Sequence, residues 1–511
     1  MRSTASSAGD LLLVGGIVLH PDGDLDAPRV EDILVRDGKI VALGAEAAGK
    51  ADRAALRTVD LSDKLVVPGF INAHYHSHDV LLRGSFEGLP LDVWSLYSSP
   101  QQYSRRSNRE VYLRTIAGAL ECLMAGITTV QDMVTVVDSD REHCEAIVDA
   151  YAASGIRAAV GLQIADRAPA DASYGWRENL PAEALARLSV APDVSPAQAL
   201  VAELLAQGDS SRLDWVLAPS APQRCSEDFL RWVAELSRTH GAQVFTHVYE
   251  AKLQALQARE HYGQDGGSYI RHLERVGLLN ERLTIAHGVW IGDSEIAAMG
   301  AAGANVAVNP TSNLKLRNGI APMRTYLDHG VGVAIGCDNC SGNDAQNIFE
   351  SMKLFALFTN LQADAGTTGS AREAFRAATL GGAKALGKSA TLGALRPGMT
   401  ADITILDLND PAFAPRNNLL NQLVYGAGPR AIHSVIVGGE TVVEGGRPVH
   451  TGLATLAKEI EEAAGIVRAD LAAVSQRNGE LARQCLHIHR QGEARPFEFD
   501  RFDLLGRSGS K

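Results

Sequence analysis

Between residues 68 and 390, short apolar or β-branched runs alternate with longer helix-like segments. The short runs, counted from the run that leads into this region, predict eight strands, at residues 66–74, 127–130, 157–163, 213–218, 243–247, 283–287, 305–309 and 331–336. The longer segments predict helices between them, at residues 108–124, 142–153, 226–239, 264–276, 294–301 and 323–329. Regular alternation of this kind is typical of parallel strands, and eight repeats predict an α/β fold, the (β/α)8 TIM barrel.

An open, doubly wound sheet is the alternative that the same alternation allows. Such a sheet carries a glycine-rich phosphate-binding turn between a strand and the helix after it. After residues 127–130 the chain continues instead with Gln131, Asp132 and Met133. The barrel is therefore favoured.

Strand-like runs also occupy both ends of the chain, at residues 11–19, 33–35 and 39–42 and again at 403–406, 432–437 and 441–443. The first set is too short and has too many open edges to form a complete sheet by itself. We therefore predict a small discontinuous β-sandwich domain, built from residues 10–67 and 391–450, with a barrel domain of residues 68–390 inserted between them. Residues 451–511 are predicted to form a helical C-terminal tail, whose charged face is solvated or covers a neighbouring subunit.

Composition narrows the class of protein. The 511 residues are 46% hydrophobic and 21% charged, which is ordinary for a soluble globular chain, and the formal net charge of −12 offers no basic surface for nucleic acid. No apolar run approaches the roughly 18–20 residues of a membrane span. The run at 11–19 contains two glycines and is interpreted as a strand, not a secretion signal. Six irregularly spaced cysteines predict reduced thiols and a cytoplasmic location.

The ends of four predicted strands carry side chains that can bind a metal ion. The first strand ends in His74 and His76, which point to the same side because strand side chains alternate. The fifth, sixth and eighth strands end in His247, His287 and Asp338. Any one of them alone is more simply a packing or turn residue, and we interpret the second His-x-His pair, at residues 487–489, as surface. Together, at the C-terminal ends of barrel strands, they predict a zinc or iron site.

Longer motifs surround these residues. They are Pro68-Gly69-Phe70-Ile71-Asn72-Ala73-His74-Tyr75-His76, Leu81-Leu82-Arg83-Gly84, Leu89-Pro90-Leu91 with Trp94, His247-Val248-Tyr249-Glu250, Ala286-His287, Ser312-Asn313-Leu314-Lys315-Leu316 with Gly319-Ile320-Ala321-Pro322, and Asp338. In this combination the sequence resembles the amidohydrolase superfamily, and more narrowly its metal-dependent branch of guanine, cytosine and adenosylhomocysteine deaminases and s-triazine hydrolases. The resemblance covers roughly residues 10–450 and implies a metal-dependent hydrolase on a barrel.

The resemblance also implies roles for individual residues. His74, His76, His247 and Asp338 would be the metal ligands, and Asp338 would also accept a proton from the attacking water. His287 would hydrogen-bond the substrate or the metal-bound hydroxide, and Glu250 would shuttle protons. Glu250 follows His247 by three residues and would lie on the opposite face of a continuing strand. The strand must therefore end at about His247 and turn.

Departures from the family pattern bear on the metal and the substrate. Two-metal members use a modified lysine at the end of the fourth strand, whereas residues 215–225 contain no lysine, so one divalent ion is expected, Zn²⁺ first and Fe²⁺ second. Ser220 stands where nucleoside deaminases of this branch carry histidine, and Tyr103 where they carry a ribose-binding glutamate, so a nucleoside substrate is disfavoured. Three residues are candidate substrate contacts with a structural alternative open for each: Gln163, Trp94 and His78.

The resemblance implies hydrolytic deamination of an amino-substituted N-heterocycle, a pyrimidine, purine base or triazine, by a metal-bound hydroxide. The same site suits removal of an alkylamine or chloride from an s-triazine, or hydrolysis of an amide or urea C–N bond. A non-catalytic barrel scaffold is the remaining alternative, although such relatives usually lose metal ligands and none is missing here. The expected partner is a small heterocyclic molecule rather than nucleic acid or membrane, and a homo-oligomer is expected because this branch is commonly oligomeric.

Overall fold

The computed structural model describes residues 10–52, 56–135, 140–208, 210 and 212–503. Its strands in chain order are β1 Leu11–Val18, β2 Arg29–Arg36, β3 Lys39–Leu43, β4 Arg57–Asp60, β5 Lys64–Pro68, β6 Phe70–His76, β7 Ile127–Val134, β8 Arg157–Ile164, β9 Leu213–Trp215, β10 Ala218–Pro219, β11 Val244–Val248, β12 Leu283–His287, β13 Asn305–Val308, β14 Gly332–Ile335, β15 Asp338–Asn339, β16 Ile403–Asp407, β17 Ile432–Val437, β18 Glu440–Glu444 and β19 Arg447–Pro448.

The α-helices in chain order are α1 Gly44–Lys50, α2 Leu91–Ser98, α3 Asn108–Met124, α4 Arg141–Ser154, α5 Pro169–Ala172, α6 Trp176–Asn179, α7 Ala182–Leu188, α8 Ser195–Gln207, α9 Glu227–His240, α10 Lys252–His261, α11 Tyr269–Arg275, α12 Asp293–Ala301, α13 Pro310–Lys315, α14 Met323–Asp328, α15 Cys340–Asn343, α16 Ile348–Gln362, α17 Ser370–Arg376, α18 Gly382–Ala385, α19 Leu419–Tyr425 and α20 Leu453–Glu493. Short 3₁₀ turns and a π turn at Ala377–Gly381 join some of them.

Parallel strands form a closed ring at the centre of the molecule. β6, β7 and β8 pair in order, β8 pairs with β9 and β10, and a bridge from Leu217 to Val244 leads to β11. β11 to β14 follow in order, and β15 pairs with β6, setting Asp338 beside Tyr75 and closing the ring. With helices between successive strands, this is the (β/α)8 barrel that the alternating pattern predicts.

Two predicted elements are broken where glycine or proline interrupts them. The predicted helix 264–276 begins only at Tyr269, because Gly266 and Gly267 take left-handed φ angles of +66° and +73°. The fourth strand is split into β9 and β10 and ends at Pro219, which has no N–H to continue a ladder. Breaks of this kind shift the element boundaries without changing the order of the ring.

The eighth strand is also split, and the break brings it against the first. Between β14 and β15 the chain passes Gly336, where an added Cβ would lie 2.2 Å from Asn309 Oδ1 and 2.7 Å from His74 Cβ. Only glycine allows this close approach. The break lets Asp338 leave the direction of β14 and pair beside β6, close to His74 and His76.

Strands from both chain ends share one sheet. Its order is β19-β18-β17-β16-β5-β1-β2-β3, and β4 pairs with β1. β16 pairs antiparallel with β5, setting Ile403 beside Pro68, so a strand after the barrel adjoins a strand before it. A sandwich arrangement of these strands and the domain boundaries given above remain predictions.

The tail folds back onto its own barrel. α20 is longer than the predicted segment 455–484, and its residues Leu456 and Ala463 pack on the outer face of α3. Farther along, Leu481, Cys485 and Ile488 pack on α2 and α6. Helix α3 is therefore enclosed between the barrel and α20, which buries polar positions on it as well as apolar ones. Residues 495–503 continue beyond the helix.

The interpretation of residues 487–489 as surface is wrong for two of the three. Ile488 is 3% and His489 7% exposed, and His489 lies 3.4 Å from Asp92 of α2, whereas His487 is exposed. These residues lie on α20, and in a helix residues two apart face different directions, so His487 and His489 do not share a face as His74 and His76 do.

Among the described residues, no helix is both long and apolar enough to cross a membrane.

Candidate active site

Five side chains meet at the C-terminal ends of the barrel strands. His74 and His76 lie on β6, His247 on β11, His287 on β12 and Asp338 on β15, and all are buried. The Nε2 atom of His76 lies 3.2 Å from Nε2 of His74 and 3.3 Å from Nε2 of His247. Asp338 Oδ1 lies 3.4 Å from Nε2 of both His74 and His76. Every group of three metal-binding atoms found in the described ranges belongs to this cluster or includes Glu250 beside it.

Backbone carbonyls select the tautomer of two of these imidazoles. His76 Nδ1 donates to the carbonyl of Met133 at 2.6 Å, and His247 Nδ1 donates to that of Ser220 at 2.7 Å. A neutral ring that donates from Nδ1 presents a lone pair at Nε2. The two Nε2 atoms therefore direct lone pairs at one another, an arrangement that is favourable only around a cation.

The donor set fits a divalent metal ion. Ligand atoms at about 2.0–2.1 Å from a tetrahedral zinc lie roughly 3.3–3.4 Å apart, which matches the Nε2 separation of 3.3 Å between His76 and His247. Within the described residues, the buried Asp338 Oδ1 and His74 Nδ1 have no hydrogen-bond partner. An unpaired carboxylate oxygen that faces the imidazoles of His74 and His76 is costly to bury unless it binds a cation.

Burial sets the protonation states that metal binding requires. Burial lowers the pKa of His74 to about 4 and, with the neighbouring imidazoles, lowers the pKa of His247 well below its usual value. Burial raises the pKa of Asp338, but the imidazoles around it, His74 foremost, outweigh this and hold its pKa well below the usual range. Neutral imidazoles and an ionised carboxylate are the metal-binding forms.

The turn required after His247 is present, and it brings Glu250 beside the cluster. β11 ends at Val248, and Tyr249 takes a left-handed φ of +52°. His287 and Asp338 also have positive φ, +72° and +63°, so three non-glycine residues at this site hold backbone conformations that cost energy in residues with side chains. The backbone N–H of Glu250 donates to Gln254 Oε1 at 2.8 Å.

Glu250 and His287 face one another beside the cluster. Glu250 Oε2 lies 3.6 Å from His287 Nε2, and Glu250 Oε1 accepts a hydrogen bond from Asn318 Nδ2 at 3.0 Å. His287 Nδ1 donates to Asn313 Oδ1 at 2.8 Å, which leaves its Nε2 directed toward Glu250. Burial raises the pKa of Glu250, opposed by the nearby His287. A carboxyl group in this setting holds a proton more readily than an exposed one.

Sequence reasoning did not single out Asn313 or Asn318 as parts of the site. Asn313 belongs to the quoted run of residues 312–316, but nothing marked it as the partner of His287. Asn318 lies between two quoted motifs, in a loop whose course is decided by tertiary contacts. A segment with a recognised motif on each side is the signal that would have drawn attention to it.

The three predicted substrate contacts lie near the cluster but are engaged with protein groups. Gln163 accepts from Thr135 Oγ1 at 3.2 Å and donates to Ser220 Oγ at 2.9 Å. His78 Nδ1 accepts from the N–H of Thr135 at 3.1 Å, and its ring centre lies 5.1 Å from that of His76. Trp94 donates to Ser341 Oγ at 3.1 Å and packs among Leu91, Ala251 and Leu316. Their contact with substrate remains a prediction.

Known proteins resemble this chain over most of its length. The sequence profile of the amidohydrolase family matches residues 65–442. The 5-methylthioadenosine/S-adenosylhomocysteine deaminase of Pyrococcus abyssi is 35% identical over 434 residues, which is 85% of this chain and 93% of that protein.

Two solved structures have the same fold and contain zinc. An adenosine deaminase from Xanthomonas campestris with bound zinc has a TM-score of 0.79 at 27% identity, covering 90% of this chain and 99% of that one. The atrazine chlorohydrolase of Arthrobacter aurescens TC1, complexed with zinc, has a TM-score of 0.77 at 25% identity, covering 89% and 100%.

Proposed function

The chain belongs to the amidohydrolase family, and from that premise we propose that it is a metal-dependent hydrolase that deaminates an amino-substituted N-heterocycle. One observation carries the proposal. Imidazole nitrogens from three histidines and a carboxylate oxygen from Asp338 face a common point at separations of 3.2–3.4 Å, next to a buried Glu250. The non-catalytic scaffold is disfavoured, because buried lone pairs that face one another cost free energy unless they bind a cation.

His74, His76, His247 and Asp338 are the residues that would hold the metal. When bound there, such an ion lowers the pKa of a coordinated water molecule to near 7 and so supplies a nucleophile at neutral pH. One ion is proposed, with Zn²⁺ favoured by the zinc in the two structural relatives and Fe²⁺ compatible with the same ligands. Residues 215–225, at the end of the fourth strand, contain no lysine that could bridge two ions, and in this segment the Ser220 carbonyl accepts a hydrogen bond from His247.

Glu250 would be the proton donor of the reaction. Its raised pKa favours the protonated form, which can protonate a ring nitrogen beside the carbon that bears the amino group. Asn318 orients the carboxyl group through the hydrogen bond to Oε1. Water then attacks that carbon, one of its protons passing to Asp338, and a tetrahedral adduct forms. Glu250, ionised by its first transfer, would take the remaining hydroxyl proton and pass it to the amino group, so that the C–N bond breaks, ammonia leaves and the C=O of the oxo heterocycle forms. The proton on Asp338 would then return to Glu250, with His287 between the two carboxyl groups.

Asp338 would accept the proton of the attacking water, and His287 would orient the substrate. Asp338 Oδ1 faces the imidazoles that would hold the metal with it, so its other oxygen, Oδ2, would accept the proton of the attacking water. His287 Nε2 lies 3.6 Å from Glu250 and 3.9 Å from Asp338 Oδ2, between the two carboxyl groups. Its hydrogen bond to Asn313 fixes the ring, so that Nε2 can orient the reacting group.

Release of chloride or an alkylamine from an s-triazine is the second candidate. The likeness to the atrazine chlorohydrolase favours it, and the same residues would serve. The two candidates differ in the leaving group, which a screen can measure directly.

The test is a substrate screen with metal analysis of the same protein sample. The panel contains cytosine, guanine, 5′-methylthioadenosine, melamine, an N-alkylated aminotriazine and atrazine, with ammonia, alkylamine and chloride assayed separately. We expect ammonia release and about one divalent ion per chain. Chloride or alkylamine release without ammonia would favour the second candidate, and metal-loaded protein that releases none of the three would contradict both.

A further inference from the structure

A small cavity lies beside the metal-binding cluster on the side of His78. Its volume, as the space open to the centre of a water molecule, is about 30 Å³. Its wall includes His78 and Thr135 toward the cluster, Arg114 and Glu110 of α3, Ser98 of α2, and Tyr103. The ring of His78 separates it from His76. Space of this size holds one or two water molecules, or a small terminal group, but not a heterocycle.

Arg114 is a buried cation in the wall of this cavity. It is 5% exposed, because α3 is enclosed between the barrel and α20. Its Nε has no hydrogen-bond partner, and within the described part of the chain it forms no ion pair. A guanidinium buried without a partner costs several kcal/mol in proteins, so a ligand that supplies the missing charge would bind favourably.

The carboxylates around Arg114 are engaged elsewhere. Glu110, one helical turn before it, lies 3.3 Å from Arg106, which also contacts Asp470 at 2.6 Å. Two further buried carboxylates act on Arg114 at longer range, and each accepts several hydrogen bonds: Asp79 from Cys340 and Ser341, and Asp132 from Ser77 and Tyr151. The two histidines in the wall, His78 and His143, add no negative charge. The charge of Arg114 is therefore not neutralised by contact.

A second unused donor lies in the same wall. Ser98 is 3% exposed, and its buried hydroxyl has no partner within the described residues. A guanidinium with its planar N–H groups and a nearby hydroxyl suit the flat, two-oxygen carboxylate. A phosphate would need more room than the cavity provides.

Resting on the proposed function, we infer that this cavity binds the carboxylate of the substrate. The amino-heterocycle would lie at the metal-binding cluster, and an arm would pass His78 to place its carboxylate against Arg114 and Ser98. The substrate class is thus an amino-N-heterocycle that carries a carboxylate side arm, and Arg114 is a specificity-determining residue.

The test uses the heterocycle that is turned over best in the substrate screen, prepared with ω-carboxyalkyl arms of increasing length and with matching uncharged carboxamide arms. For the native enzyme, kcat/KM should favour the carboxylate over the carboxamide at one preferred length. Arg114→Gln should reduce that preference roughly ten- to a hundredfold, mainly through a higher KM for the carboxylate, as expected for losing a charged hydrogen bond. Arg114→Lys should restore part of it.

Arg109→Gln is the matched control, because Arg109 lies on the same helix, is exposed and pairs with Glu459 at 2.7 Å. It should keep the native preference. If the native enzyme shows no preference, or if Arg114→Gln preserves it, the inference is wrong. Equal losses for both arms would assign Arg114 a structural role only and would also overturn it.

A binding measurement separates this inference from the proposed function. Sodium formate should raise the melting temperature of the native holoenzyme and of Arg109→Gln, but not that of Arg114→Gln. If no heterocycle is turned over, the proposed function fails while Arg114-dependent protection by formate still supports a carboxylate site. Protection that survives in Arg114→Gln would place formate elsewhere, and absence of protection in the native enzyme would equally overturn the carboxylate site.

Discussion

The metal-binding cluster and the segments that cover it are built by different rules. The cluster takes His74, His76, His247 and Asp338 from strand ends, and two of its imidazoles donate to carbonyls of the neighbouring strand or the residue that follows it. The cover, by which we mean residues 77–107 and 453–503, consists of short helices, loops and α20, joined by side-chain contacts. In a paired strand, the backbone pairing fixes the direction in which each side chain points. In the cover, the direction of a side chain depends on the residues that pack against it.

The cover nevertheless reaches Glu250 through three successive contacts. Phe499 stacks on Trp290 with ring centres 6.2 Å apart, and Trp290 Nε1 donates to the carbonyl of Asn318 at 2.6 Å. Asn318 in turn donates to Glu250 at 3.0 Å. The cover is positioned mainly by side-chain packing rather than by pairing with the barrel strands. Its tail, residues 453–503, lies outside residues 65–442, the part of the chain that matches the family profile. The comparison predicts graded effects, largest at the cluster and smallest at the link between the site and the cover.

Removing a ligand from the cluster should have the largest effect. His247→Ala should reduce the bound metal to a small fraction of one ion per chain and lower kcat/KM at least about a thousandfold, since the metal contributes several kcal/mol to transition-state stabilisation. Metal analysis and steady-state kinetics measure both. His487→Ala, which changes the exposed histidine of the second His-x-His pair, is the matched control and should leave both unchanged. A His247→Ala variant that keeps its full metal content and activity would contradict the assignment of His247 as a metal ligand.

Glu250→Gln should separate proton transfer from metal binding. The amide keeps the shape of the side chain but holds no transferable proton, so turnover should fall roughly 10²–10⁴-fold. Metal content should stay at the native level, because Glu250 is proposed to move protons without binding the ion. Loss of metal in this variant would show that Glu250 belongs to the ligand set, and normal turnover would remove it from the mechanism.

The same division explains which parts of the molecule sequence patterns could predict. The order of the barrel strands and the ends at His74, His76, His247 and His287 follow from alternation along a strand, which each short run carries by itself. Asp338 was expected after the eighth strand, but the break at Gly336 that moves it beside β6 depends on contact with His74 and Asn309. No local pattern expresses that contact.

The burial of Arg114 could not be predicted from the local sequence pattern. It occupies a polar position on a helix that the sequence predicts at its observed bounds, Asn108–Met124, and such a position is normally solvated. It is buried because α20, more than 300 residues later, packs on the same helix. His489 was interpreted as surface for the same reason, since its burial depends on α2.

The hydrogen bond from Asn318 should tune the pH dependence of the reaction. The acid form of Glu250 is lost as the pH rises through its pKa, so kcat should fall on the alkaline side. The Asn318 N–H stabilises the ionised carboxylate, and Asn318→Ala should therefore raise the pKa of Glu250 further and move the alkaline limb to higher pH. kcat at its optimum should fall roughly tenfold with the orientation of the carboxyl group lost. A limb that stays in place, or moves to lower pH, would contradict the assignment of Glu250 as the proton donor.

The smallest effect should come at Trp290, the residue through which Phe499 of the cover is linked to Asn318. Trp290→Phe keeps an aromatic ring against Phe499 but removes the Nε1–H that donates to the carbonyl of Asn318. One neutral hydrogen bond contributes about 0.5–1.5 kcal/mol, and only part of that loss is transmitted to Glu250, so kcat should fall two- to fivefold with metal content unchanged. Trp232→Phe, a half-buried tryptophan of α9 that contacts Phe229, is the matched control and should change neither quantity. A loss at Trp290 as large as that of Glu250→Gln would mean that this link between the cover and the site positions the proton donor as strictly as the barrel positions the metal ligands, and the distinction between the two regions would then fail.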